Sequence, residues 1–258
     1  MKKILFAVAF AIFASTQAFA IVGAGAHYVM NMGSLKGNKG LVYGLPEDPI
    51  SINFEQQKAD GLQGIGFKAW IDFIPVVDIE GTLNVAATRY KTSLEINTPL
   101  GTETISLSYT PEAPYSMIFD SADPLYGVVN GDISVTYPFD LPIIRPYIGL
   151  GFSYFASIPI VNASFTKNML ENSSGLIDAL EDPDDPKAAS KIGEALIKNL
   201  MKESYTTGIG AHIIVGLRIK PPVIPLAVYA NCKRHFGGNL NSQFSQGFVF
   251  EVGGGFAI

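Results

Sequence analysis

The side chains best able to do chemistry in this sequence are ten ionisable residues spread along the chain: His27, Lys68, Asp72, Asp78, Glu80, Asp132, His212, Arg218, Lys233 and Glu251. Imidazoles beside carboxylates can move protons, and carboxylates beside Lys and Arg can cancel charge in a buried network. Motifs that would turn these groups into an enzyme are missing. The sequence has no Gly-x-Ser-x-Gly elbow, no His-Glu-x-x-His pair and no phosphate-cradling glycine loop. Its supply of soft ligands is three histidines and the single Cys232, which sits within an apolar strand pattern. No catalytic, cofactor-binding or metal-binding residue is therefore expected, and a net charge of −5 offers no basic face for nucleic acid.

What would bring the ten together is alternation. Ile65, Phe67, Ala69, Ile71 and Phe73 share one face of a strand, against Gly64, Gly66, Lys68, Trp70 and Asp72 on the other. The same period of two runs through Val22–Met32, Val77–Ala87, Leu125–Phe139, Tyr147–Ala156, Gly208–Arg218, Leu226–Lys233 and Phe248–Ile258. That makes eight strands with one apolar face each, and the polar faces carry all ten ionisable residues. Lys68 and Glu80 would be diagonal neighbours across the turn at Pro75, with Asp72 and Asp78 near the same rim.

Composition says what surrounds those strands. Charged residues make up only 16% of the chain, well below the roughly 25% of a soluble domain. Yet no later stretch approaches the roughly 20 unbroken apolar residues of a membrane helix. Strands that are apolar outside and polar inside satisfy both facts. The first residues read as an export signal: Lys2 and Lys3, the apolar run Ile4–Ala14, then Ala18-Phe19-Ala20. Cleavage after Ala20 would leave a domain from 21 to 258.

The connections alternate in length. Short proline-bearing turns are expected at 74–76, 140–144 and 221–225, and long ones at 33–61, 91–123 and 159–205, with a modest one at 237–243. Short turns at one rim and long loops at the other suit a membrane barrel with both termini periplasmic. Within the second long loop, 91–97 and 102–109 could pair as a hairpin around Pro99-Leu100-Gly101. In the third, 164–204 has helical spacing, with Asp185 and Pro186 placed to start a second helix.

Three features resemble small outer-membrane β-barrels of the OmpA/OmpW/OmpX type. They are the leader followed by eight amphipathic strands, the segment Arg145-Pro-Tyr-Ile-Gly-Leu-Gly-Phe-Ser-Tyr154, and the ending Glu251-Val-Gly-Gly-Gly-Phe-Ala-Ile258. The resemblance implies an all-β, eight-stranded, antiparallel, up-and-down transmembrane barrel in the bacterial outer membrane. It implies outer-membrane lipid as surroundings and recognition by the barrel-assembly machinery through Glu251, Gly253, Phe256 and Ile258. Family members usually end in Phe, and Ile258 departs from that. The expected role is structural or envelope-interacting, non-enzymatic and without cofactor. Two alternatives stand beside it: a narrow channel for small apolar or amphipathic solutes, suggested by the many inward glycines, and an adhesin acting through the long loops. An extracellular partner of those loops, and the oligomeric state, are open at this point.

Overall fold

The computed structural model describes residues 22–45, 49–72, 76–107, 123–139, 141, 143–158, 160, 163, 166–167, 205–221, 224–238 and 240–257. The leader, Ile258 and nearly all of the helical pair expected at 164–204 lie outside the described residues. The strands are β1 (Val22–Leu35), β2 (Asn38–Tyr43), β3 (Ser51–Gln56), β4 (Ala59–Ile71), β5 (Asp78–Arg89), β6 (Thr92–Thr98) and β7 (Gly101–Ser106). They continue with β8 (Leu125–Pro138), β9 (Ile144–Ser157), β10 (Thr206–Ile219), β11 (Leu226–Gly237), β12 (Phe244–Ser245) and β13 (Phe248–Ala257).

Eight of these close on themselves. The hydrogen-bonded order β1-β13-β11-β10-β9-β8-β5-β4 ends with β4 paired back onto β1, and every pairing is antiparallel. Closure leaves no row of unpaired backbone groups on the barrel wall, each of which would cost several kcal/mol in hydrocarbon. The eight are the strands that alternation marks in the sequence.

Alternation also sets the two faces. Outside, Ile65, Phe67, Ile133, Leu150, Phe152 and Ile209 are each at least 62% exposed. Inside, their strand neighbours are closed off from solvent, as the repeating exposed–buried pattern of β5, β8 and β10 shows. The two outward cations of the strands, Arg89 and Arg234, lie at the long-loop rim. Arg89 donates to the carbonyl of Asp123, and Arg234 donates to that of Gln246 while stacking on Phe248.

The long connections hold more structure than their sequence announces. β6 and β7 pair as the hairpin expected there. The first long connection, for which only length was expected, contains β2 and β3. β3 pairs with β6, so two loops join into one four-stranded sheet, β2-β3-β6-β7. The pattern hid this because each strand has only six or seven residues and the joining pair, β3 with β6, runs between two loops. Val42, Ile52, Phe54 and Leu94 of this sheet are buried in one apolar cluster with the inward side chains Val29, Leu62, Val128, Phe155 and Val249 of the barrel. The loop sheet is thus a lid packed on the barrel mouth. Where β1 and β4 approach it, their register shifts between Asn31 and Ser34, with Gly61 opposite at φ +73, the mark of a β-bulge.

Candidate functional site

Every one of the ten sequence-derived ionisable residues turns inward. Asp72 keeps 5% of its side chain exposed, and the other nine are buried. An eight-stranded barrel is only just wide enough to be filled by side chains, so charges on opposite walls come within bonding reach. They form two levels.

The level near the short turns centres on Arg218. Its guanidinium donates to Glu80 at 2.5 Å and to both oxygens of Asp72 at 2.9 Å. It also lies 4.7 Å over the ring of Trp70. Lys68 meets the other oxygen of Glu80 at 2.7 Å and donates to the Tyr147 hydroxyl at 2.8 Å. Arg145 bridges Asp72 at 2.8 Å and Asp78 at 3.1 Å. Here three cations face three carboxylates, so the level is formally neutral.

The second level centres on Lys233, whose ammonium reaches Glu251 and Thr82 at 2.7 Å and Asp132 at 2.8 Å. Asn84 and Asn231 donate to the two oxygens of Glu251 at 2.8 and 2.7 Å. His27 is held between the Asn84 carbonyl oxygen at 2.6 Å and the Tyr229 hydroxyl at 3.1 Å. Asn130 donates to both oxygens of Asp132, and His235 lies 3.3 Å from one of them. His212 is bracketed by Ser134 and Ser153, each at 2.8 Å from one ring nitrogen.

Such buried ions need one another. Removing one partner of a buried pair typically costs about 3–5 kcal/mol, because the survivor keeps an uncompensated charge. Chemically, this arrangement plugs the lumen. A hydrated ion or a small solute would have to displace charge-assisted hydrogen bonds to pass.

Several participants lay outside the sequence-derived set. His235 continues the inward run Tyr229, Asn231, Lys233, and extending the alternation by one step would have found it. Arg145 was absorbed into a motif. Asn84, Thr82 and Asn231 stood on polar faces but carry no charge, and charge was the criterion. Of the C-terminal residues read as an assembly signal, Glu251 belongs to the lumen network and Phe256 points outward at 64% exposure. Gly253 sits where an added Cβ would stand 2.2 Å from the Ala26 carbonyl oxygen. Cys232 faces outward and is partly exposed.

No protein-family model and no curated protein sequence matches the chain. Solved structures do match in part. The attachment invasion locus protein Ail of Yersinia pestis aligns over 93% of this chain and 99% of its own, at 8% identity and a TM-score of 0.42. The N-terminal β-barrel domain of Pseudomonas aeruginosa OprF covers 93% and 97%, at 10% identity and 0.39. Neisserial surface protein A covers 93% and 96%, at 11% identity and 0.40. Scores and identities this low transfer no role to this chain.

Proposed function

We propose that the mature chain is an integral protein of the bacterial outer membrane, a closed barrel with a structural or envelope-interacting role and no enzymatic activity. The observation that carries this reading is the pairing of an unbroken apolar outer wall with a lumen filled by mutually paired charges. The wall matches hydrocarbon: an Arg or Lys at its middle would cost about 2–4 kcal/mol, and its cations stand only at the rim. The long connections would face the outside, the short turns and both termini the periplasm. Export through the leader at 1–20 and recognition of the C-terminal strand by the barrel-assembly machinery complete the route.

Between the alternatives, the lumen argues against a channel. The adhesin alternative draws support from a different observation: the loop sheet presents an ordered polar outer face with Lys39 ion-paired to Glu55 and Glu95 at 3.7 and 3.2 Å. An ordered polar surface held beyond a lipid belt suits contact with an envelope or extracellular partner.

Membrane fractionation with heat-modifiable migration on a detergent gel tests location. The protein should require detergent for release and migrate differently when unheated. Release into the periplasmic fraction without detergent would overturn the membrane reading. Purified protein in planar bilayers should be electrically silent, and steady unitary conductance would replace the plugged barrel with the channel.

A further inference from the structure

The two charged levels differ in one respect. Around Lys233, one ammonium serves two carboxylates, Asp132 and Glu251, at 2.8 and 2.7 Å. That level has one lysine and no arginine for its two carboxylates among the described residues, with His235 3.3 Å from Asp132, whereas the Arg218 level matches three cations to three carboxylates. Carboxylate in excess of lysine and arginine in a low-dielectric interior favours a further positive group beside it.

Metal-binding side chains converge at that place. The β10–β11 register sets His212 directly opposite His235, both inward, with their rings 5.4 Å apart. Asp132 enters from β8, and one donor atom from each of the three lies within 4.8 Å of the others. All three residues are buried, at 1%, 4% and 2% exposure for His212, His235 and Asp132. Around a metal with bonds of about 2.0–2.1 Å, tetrahedral ligands stand about 3.3 Å apart, so modest ring rotations close the set.

We propose that Asp132, His212 and His235 form a site for a divalent transition-metal ion of the zinc, cobalt or nickel kind. Two imidazoles and one carboxylate are ligands these ions accept, and hard cations such as calcium prefer sites made wholly of oxygen. The surroundings suit that role. Gly151 lies under the His212 imidazole, where an added Cβ would stand 2.6 Å from the ring, so a side chain there would push the ligand aside. Ser134 and Ser153 offer the imidazole a hydroxyl at each nitrogen. One hydroxyl gives way to the metal, and the other accepts the remaining N–H and fixes the ring. Lys233 occupies one oxygen of Asp132, which leaves the oxygen facing His235 as the ligand.

Beside His235, on the loop side, a small cavity also lined by Asn31, Asn130, Phe155 and Gln246 has room for about one water molecule. The nearby ammonium opposes a second positive charge, so affinity is moderate.

The test uses the mature chain without a histidine tag, folded in detergent micelles and checked by heat-modifiable migration. Cobalt(II) is titrated by visible absorption, and zinc(II) by calorimetry at pH 7.5. One equivalent per barrel should bind, with the absorption bands of a low-symmetry cobalt site. H212Q and H235Q, each folded by the gel criterion, should weaken binding at least about tenfold. C232S, which alters the outward-facing cysteine of the barrel wall, should bind as the unaltered protein does. Absence of cobalt bands and of zinc heat in the folded unaltered barrel would overturn the proposal. So would uptake that survives both H212Q and H235Q, which would place the ion elsewhere.

Discussion

The lumen and the lid solve the same burial problem with opposite chemistry. Below, the barrel interior is held by ions whose partners come from across the lumen and from the neighbouring strand, such as Lys233 on β11 with Asp132 on β8 and Glu251 on the adjacent β13. Above, Phe54, Leu94 and Ile52 of the loop sheet are buried in one apolar cluster with Val128 and Phe155. An ionic plug resists piecemeal opening, since losing one member strands another, whereas an apolar contact loses stability in proportion to the area uncovered. The lumen should therefore melt only with the barrel, and the lid should be able to lift by itself.

The largest expected effect is in the lumen. K233M removes the ammonium shared by Asp132, Glu251 and Thr82, and should destabilise the folded barrel by about 3–5 kcal/mol. Trp70, the sole tryptophan and 1% exposed, reports it through fluorescence during urea unfolding from micelles. A shift below about 1 kcal/mol would mean that the charges are solvated and the plug is not tight.

F54A in the lid should cost about 3 kcal/mol, the low end for a buried phenylalanine. Here the loss should appear as faster hydrogen exchange in 38–56 and 92–106, with the Trp70 midpoint unchanged. A matching fall in that midpoint would show that lid and lumen unfold as one unit, and the contrast would dissolve.

G151V sharpens the comparison within the lumen. An added Cβ would meet the Ile133 carbonyl oxygen at 2.1 Å as well as the His212 ring. Overpacking of this kind costs about 1–3 kcal/mol. The Trp70 midpoint should fall by less than in K233M.

The smallest effect belongs to the lid's outer face. Glu95, through its hydrogen bond and its charge, with Glu55 behind it, holds the Lys39 ammonium above the ordinary lysine range. A raised pKa means that any stabilisation is present at pH values below the ordinary lysine pKa and is lost as pH rises through the raised value. E95Q should bring the Lys39 titration back toward its ordinary value, followed by NMR of isotopically labelled lysine, with no measurable change in unfolding at pH 7.

Chain order by itself determined which way each barrel side chain points. A period of two leaves no freedom: once Ile65 and Phe67 face outward, Gly66 and Lys68 must face the lumen, and the same holds for all eight strands. That is why the wall and the inward set of charges could be read from the sequence. Height along the lumen could not. Whether Lys233 meets Asp132 depends on the stagger between strands far apart in the chain, and that stagger is fixed only when the sheet closes. The β2–β3 half of the lid, and its joining to the expected β6–β7 hairpin, escaped for the related reason that β3 and β6 come from different loops and β2 and β3 are too short to carry a periodic signal. Local pattern sets the face of a side chain, and closure of the whole sheet sets its neighbours.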